Sequence, residues 1–296
     1  MSRVRAIIRA ARDRLRAALF AATMKGYKRL MSVPTSPIRP PEQRPPWDKL
    51  LPIPRSLASD RRPQIVGHRG ARGLAPENTL PAFEVAAELD IDGVEFDVQR
   101  TADGALVVFH DDEVDRTTTG TGTLWEMSLA AIQALDAGTP FDARFAGTRV
   151  PTLRETLEYL KTTRLLLFIE LKDPWRFPGM AQQCVDLVRE LDLVKRTQFR
   201  SFHHDVLHEL YAIAPEISLS ALWDDRLPAD DEVTWKTVDA PHQLLTPDNI
   251  RHMQARGQQV TAWTVNDVER ARALMDAGID GLCTDYPDRL LTLFAR

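Results

Sequence analysis

At 296 residues the chain is long enough for one large domain and an appendage, and with 44% hydrophobic and 27% charged residues it excludes wholesale disorder. The two cysteines, Cys184 and Cys283, exclude a disulfide framework and read as buried free thiols. The net charge of −4 conceals a split: residues 1–30 carry nine basic side chains and one acidic one, while the remaining chain holds 29 basic and 41 acidic residues, a net of −12 that disfavours nucleic-acid binding.

Residues 1–31 read as a basic amphipathic helix, with Val4, Ile7, Ile8, Ala11, Leu15, Ala18, Leu19 and Ala22 at helical spacing and arginines flanking that stripe. It is too charged to span a bilayer, and the arginines suit an anionic membrane surface with the aliphatic stripe beneath the headgroups; the plainer alternative is a solvated tail. The expected location is accordingly cytoplasmic or peripheral to a membrane. Residues 32–63 read as a linker in which Pro34, Pro37, Pro40, Pro41, Pro45, Pro46, Pro52, Pro54 and Pro63 prevent regular structure.

Across 64–296 the pattern is strand, turn and helix, repeated. Strands are expected at 64–66, 93–99, 106–110, 165–171, 198–202, 218–222, 242–245, 259–265 and 281–284, with helices among them at 80–89, 153–160, 181–191 and 268–277. Alternation over this many repeats implies an α/β protein with a parallel sheet closed into a TIM-type (β/α)8 barrel. Nine candidates compete for eight positions. The turn Ala102-Asp103-Gly104 is too short for a crossover helix, so the pair 93–99 and 106–110 includes an extra hairpin strand. Residues from about 111 to 150 carry no clean period and suit a small insertion over one barrel end.

The acidic residues carry the chemistry. In Val94-Glu95-Phe96-Asp97-Val98, strand parity puts both carboxylates on one side and the three apolar side chains on the other. Two carboxylates crowded inside a barrel need a compensating positive charge, and a hard divalent cation with oxygen ligands supplies it; a solvated strand end is the blander reading. Glu170 ends the apolar run Leu165–Ile169, with Lys172 two residues on. Alone they could form a structural ion pair. Beside Glu95 and Asp97 at strand C-termini, where barrel enzymes keep their active sites, Glu170 becomes a third metal ligand and Lys172 a phosphate contact. His68 and His110 also end strand candidates and suit a general acid and base working across a phosphodiester, and Gly67, Gly70 and Gly73 allow an anion close to the backbone. His203, His204, His208, His242 and His252 have no comparable context.

With those residues in hand, the chain resembles the glycerophosphodiester phosphodiesterase family, within the wider group of barrel phosphodiesterases similar to phosphatidylinositol-specific phospholipase C. The matching segments run in the family's order: GHRGARGLAPENTLPAF (67–83), GVEFDVQRTADGALVVFHDDEVDRTTTGTG (93–122), PTLRETL (151–157), FIELK (168–172), VTAWTVND (260–267) and DGLCTDYPDRL (280–290). The resemblance implies a metal held by Glu95, Asp97 and Glu170, catalytic His68 and His110, and anion contacts from Arg69 and Lys172; the all-oxygen ligand set favours Ca2+ or Mg2+ over zinc. It also implies a supporting or substrate contact from Asn78 and a pocket lined by Trp263, whose alternative is plain core packing. In some members the residue matching His110 is a metal ligand. The implied reaction is hydrolysis of glycerophosphodiesters to glycerol 3-phosphate and an alcohol. A lysophospholipase D acting on lysophospholipids at a membrane surface is the alternative that the N-terminal helix motivates. A barrel lyase stabilising an enolate, or a barrel that only binds anionic lipid, would have no use for the full acid and histidine set.

Overall fold

The computed structural model of the chain describes residues 41–54 and 62–294. The helix expected over 1–31 and the first part of the proline-rich segment lie outside them. Nine strands follow one another: β1 (Gln64–Gly67), β2 (Gly93–Arg100), β3 (Leu106–Val108), β4 (Leu166–Leu171), β5 (Thr197–Ser201), β6 (Ser218–Leu222), β7 (Thr237–Pro241), β8 (Gln259–Trp263) and β9 (Gly281–Thr284). Eight of them pair in parallel in the order β1-β2-β4-β5-β6-β7-β8-β9, and β9 returns to β1, closing the barrel. β3 is the extra strand, antiparallel to the far end of β2 with Val98 opposite Val108.

The helices are α1 (Leu80–Glu88), α2 (Leu129–Gln133), α3 (Leu153–Lys161), α4 (Met180–Glu190), α5 (His204–Ile213), α6 (Pro247–Ala255), α7 (Val268–Asp276) and α8 (Pro287–Leu291). Local signals set their starts. Thr152 and Glu155 form a reciprocal capping box at α3, and Thr246 with Asn249 does the same at α6, where Pro247 fills the first turn. No helix among the described residues is long and apolar enough to cross a membrane.

Strand parity sorts the side chains. Val94, Phe96 and Val98 point outward into the apolar layer shared with Phe83 and Leu157, and the Phe83 and Phe96 rings meet edge to face at 5.5 Å. Val66, Leu166, Phe168 and Cys283 form a separate cluster with Ile53. Beside them lies a buried polar group in which Arg200 donates to Gln198 (3.0 Å), lies 3.6 Å from Asp239 and covers the Phe168 ring, while Ser220 donates to Asp239. Both cysteines are buried free thiols.

Two expectations need correction. The strand placed at 242–245 is a 3-10 turn, and β7 lies upstream at Thr237–Pro241. Asp239 at its centre breaks the apolar run that marks a buried strand, yet Arg200 and Ser220 satisfy it inside the barrel. The connection from β6 to β7 carries no helix, and Trp235 packs instead on the His208 ring at 5.0 Å.

The proline-rich segment is likewise more than a spacer over 41–54. It makes two 3-10 turns and buries Leu50 and Ile53. Ile53 N donates to Gln259, Ser218 donates to the Pro52 carbonyl, and Gln64 donates to the Pro54 carbonyl. Gln64, Ser218 and Gln259 each begin a strand, so this segment closes the base of the barrel. A chain beginning at residue 41 should therefore be more stable than one beginning at residue 62 by about 3–6 kcal/mol, because burying each of Leu50 and Ile53 contributes about 1.5–3 kcal/mol. Urea unfolding of the two chains checks this, and equal midpoints would refute it.

Candidate functional site

Glu95 and Asp97 project inward from the middle of β2, and Glu170 sits beside Asp97 in register near the end of β4. One carboxylate oxygen from each lies within 4.8 Å of the others, and all three residues are buried. Asp97 Oδ1 is a buried acceptor with no hydrogen-bond partner among the described residues. Burial, with Asp97 and Glu170 alongside, pushes the Glu95 carboxyl well above the usual carboxylate range. Burial also raises Glu170, against the pull of Lys172. At Asp97 burial is outweighed by His110, Arg69, Lys172 and the Asn78 hydrogen bond, and the carboxyl falls. Buried acids of which two stay raised despite neighbouring cations, with an orphaned oxygen on the third, fit a hard divalent cation.

The anticipated cationic groups surround this cluster. Lys172 Nζ lies 2.8 Å from Glu170 Oε1 and 3.4 Å from His110 Nε2. Arg69 donates its backbone N–H to Glu95 Oε2 at 3.0 Å, and its Nε lies 3.3 Å from Asp97 Oδ2. Asn78 Nδ2 donates to the same Asp97 oxygen at 2.8 Å. Arg69 and Asn78 both take left-handed backbone conformations (φ 51° and 57°), a strain that asparagine tolerates better than arginine. The turn also depends on Gly67, where an added Cβ would lie 2.1 Å from the Gly70 carbonyl oxygen.

His68 follows β1 and points Nδ1 at Asp285 Oδ1 (2.6 Å), leaving Nε2 toward Glu95 at 4.0 Å. His110 points Nδ1 at Asp111 Oδ1 (2.6 Å) and Nε2 at Lys172. A carboxylate only accepts, so each imidazole carries its proton on Nδ1 and presents Nε2 to the site. Burial first, then the Arg69 charge, lowers both imidazoles; His110, with Lys172 adding to the effect, falls to about 3. The three acids share their cluster without His110, whose nitrogens are engaged by Asp111 and Lys172.

Trp263 is half-buried at the end of β8, packs edge-on against Phe202 at 5.8 Å, and leaves its indole Nε1 buried without a hydrogen-bond partner. Phe202 in turn lies 5.9 Å from Lys172 Nζ, which puts the aromatic pair beside the cationic wall. Sequence reasoning missed Asp285, Asp111 and Phe202. Asp285 stands one residue past β9, a position that could have marked it, and Asn266 holds its other oxygen at 2.8 Å.

The model of the glycerophosphoryl diester phosphodiesterase family matches residues 68–289. A glycerophosphodiester phosphodiesterase from Caldanaerobacter subterraneus is 34% identical over 237 residues, covering 78% of this chain and 98% of the relative. One from Bacillus altitudinis is 31% identical, covering 78% and 97%. Among solved structures, an Oleispira antarctica phosphodiesterase in complex with the product sn-glycerol-3-phosphate is similar with a TM-score of 0.75 and 29% identity, over 79% of this chain and 98% of that one. A glycerophosphodiester phosphodiesterase from Agrobacterium tumefaciens is similar with a TM-score of 0.66 and 33% identity, over 78% and 99%.

Proposed function

The chain belongs to the glycerophosphoryl diester phosphodiesterase family, and on that premise we propose that it is a cation-dependent phosphodiesterase releasing glycerol 3-phosphate and an alcohol from glycerophosphodiesters. What carries this reading is the buried cluster of Glu95, Asp97 and Glu170, flanked by two imidazoles whose Nδ1 atoms are each held by a carboxylate. Those three acids would hold the cation, Ca2+ or Mg2+ on an all-oxygen donor set, and when bound it supplies Lewis-acid stabilisation of charge on the phosphate oxygens.

The chain's own groups do the rest. Arg69 and Lys172 bind and orient the phosphate, and Lys172 stays cationic because Glu170 and Asp97 outweigh the effect of its burial. One imidazole takes the proton from the nucleophile through Nε2, that nucleophile being water, or else the neighbouring glycerol hydroxyl, after which water opens the resulting cyclic phosphate to glycerol 3-phosphate. The other returns a proton to the departing alkoxide oxygen. In the ligand-free site burial and cations hold both imidazoles neutral; an arriving phosphodiester brings negative charge beside them and favours the protonated form that the acid step needs. Asn78 steadies Asp97, and Trp263 with Phe202 lines the side next to Lys172.

Purified protein should release glycerol 3-phosphate from glycerophosphocholine and glycerophosphoethanolamine, lose that activity in chelator, and regain it with Ca2+ or Mg2+. Full turnover in chelator, or a preference for lysophosphatidylcholine, would overturn the proposal. Any comparison lacking the N-terminal segment should begin at residue 41, since a start after residue 54 removes the base of the barrel as well.

A further inference from the structure

The carboxylates that hold the two imidazoles are joined by one continuous run of ion pairs. From His68 it passes through Asp285 to Arg72 Nε (3.5 Å), and from Arg72 to Glu77 Oε2 (3.6 Å). Glu77 then takes two hydrogen bonds from Arg116 (2.7 and 2.9 Å), and Arg116 donates two to Asp111 (2.5 and 3.0 Å), whose Oδ1 holds His110. Glu77 is the midpoint, and its Oε1 also accepts from Arg69 Nη1 at 2.6 Å. Burial alone would raise the Glu77 carboxyl, but Arg116, Arg69 and Arg72 together drive it far below the usual range.

Isolated surface ion pairs contribute little, because flexible side chains are costly to order and water screens them. This one differs in geometry. Its hub side chain is only 11% exposed and is forked to a guanidinium, and the run ties the turn after β1, the insertion and the end of β9 to one point. We infer that Glu77 is a positioning residue for both histidines, acting on His110 through Arg116 and Asp111 and on His68 through Arg72 and Asp285. The inference rests on the histidine roles proposed above.

Glu77→Gln in the full chain, assayed on glycerophosphocholine with cation present, should lower kcat about 10- to 100-fold, the range for groups that support a catalytic shell, and any change in KM reports its separate hydrogen bond to Arg69. The two arms are separable through the more exposed Arg72 and Arg116. Arg116→Gln should lower kcat in the unaltered and His68→Ala backgrounds but not in His110→Ala, and Arg72→Gln should show the reverse. Nitrogen-15 spectra of the imidazoles should lose the fixed Nδ1–H signature of His110 alone in Arg116→Gln, of His68 alone in Arg72→Gln, and of both in Glu77→Gln. Equal losses in every background, or imidazole spectra unchanged by Glu77→Gln, would overturn the inference. Retained turnover in His68→Ala and His110→Ala would instead refute the functional reading, on which the imidazole spectra do not depend.

Discussion

His68→Ala and His110→Ala should each lower turnover by at least about 10²-fold, the lower bound for losing a general acid or base, while the barrel stays folded. The fold should survive because neither imidazole belongs to the apolar clusters, and polar groups hold each ring: Asp285 and Glu95 for His68, Asp111 and Lys172 for His110. Substrate affinity should change less than kcat, because the proposed phosphate contacts, Arg69 and Lys172, remain. Steady-state kinetics beside circular dichroism decides the matter. Turnover within a few-fold of the parent in both variants would show that proton transfer runs through other groups.

The second large effect is expected at Glu95. Its carboxyl is pushed upward by burial and by Asp97 and Glu170, so the cation-free protein carries a repulsion that a neutral amide removes. A buried group held above its unfolded value contributes stability below the ordinary carboxylate range, and that contribution is lost as pH rises through its elevated value. Near neutral pH without cation, Glu95→Gln should thus be at least as stable as the parent and should flatten this decline. Adding cation should reverse the order. The parent gains about 2.7 kcal/mol when the ion stands at 100 times its dissociation constant, about 5–10 °C in Tm for a domain of this size, and the variant gains far less and turns over little. Thermal melts with and without cation measure both halves, and an undiminished cation shift in Glu95→Gln would remove Glu95 from the ligand set.

What is legible in the sequence is what obeys a short-range rule. Glu95 and Asp97 declare themselves through strand parity, and Glu170 with Lys172 through their place at the end of an apolar run. The barrel is legible because its outward faces are apolar at nearly every strand. β7 hides because the partners that neutralise Asp239 lie 39 residues or fewer upstream on other strands, which no local pattern conveys. The base-closing residues hide among prolines, whose spacing speaks of extended chain and says nothing of where Leu50 and Ile53 insert. Asp285, Glu77 and Arg116 are ordinary surface residue types until folding brings together stretches up to 217 residues apart.

A cylinder whose last strand pairs with its first presents no free hydrogen-bonding edge to another chain. β3 would restore one, since it hangs on β2 by one side only. Its other side is occupied: Val108 N–H donates to the Pro151 carbonyl, and Val107 bridges to Thr152 on the way into α3. The short run Leu106–Phe109, apolar throughout, is thereby denied a docking partner for as long as the capping box of α3 keeps that stretch in place.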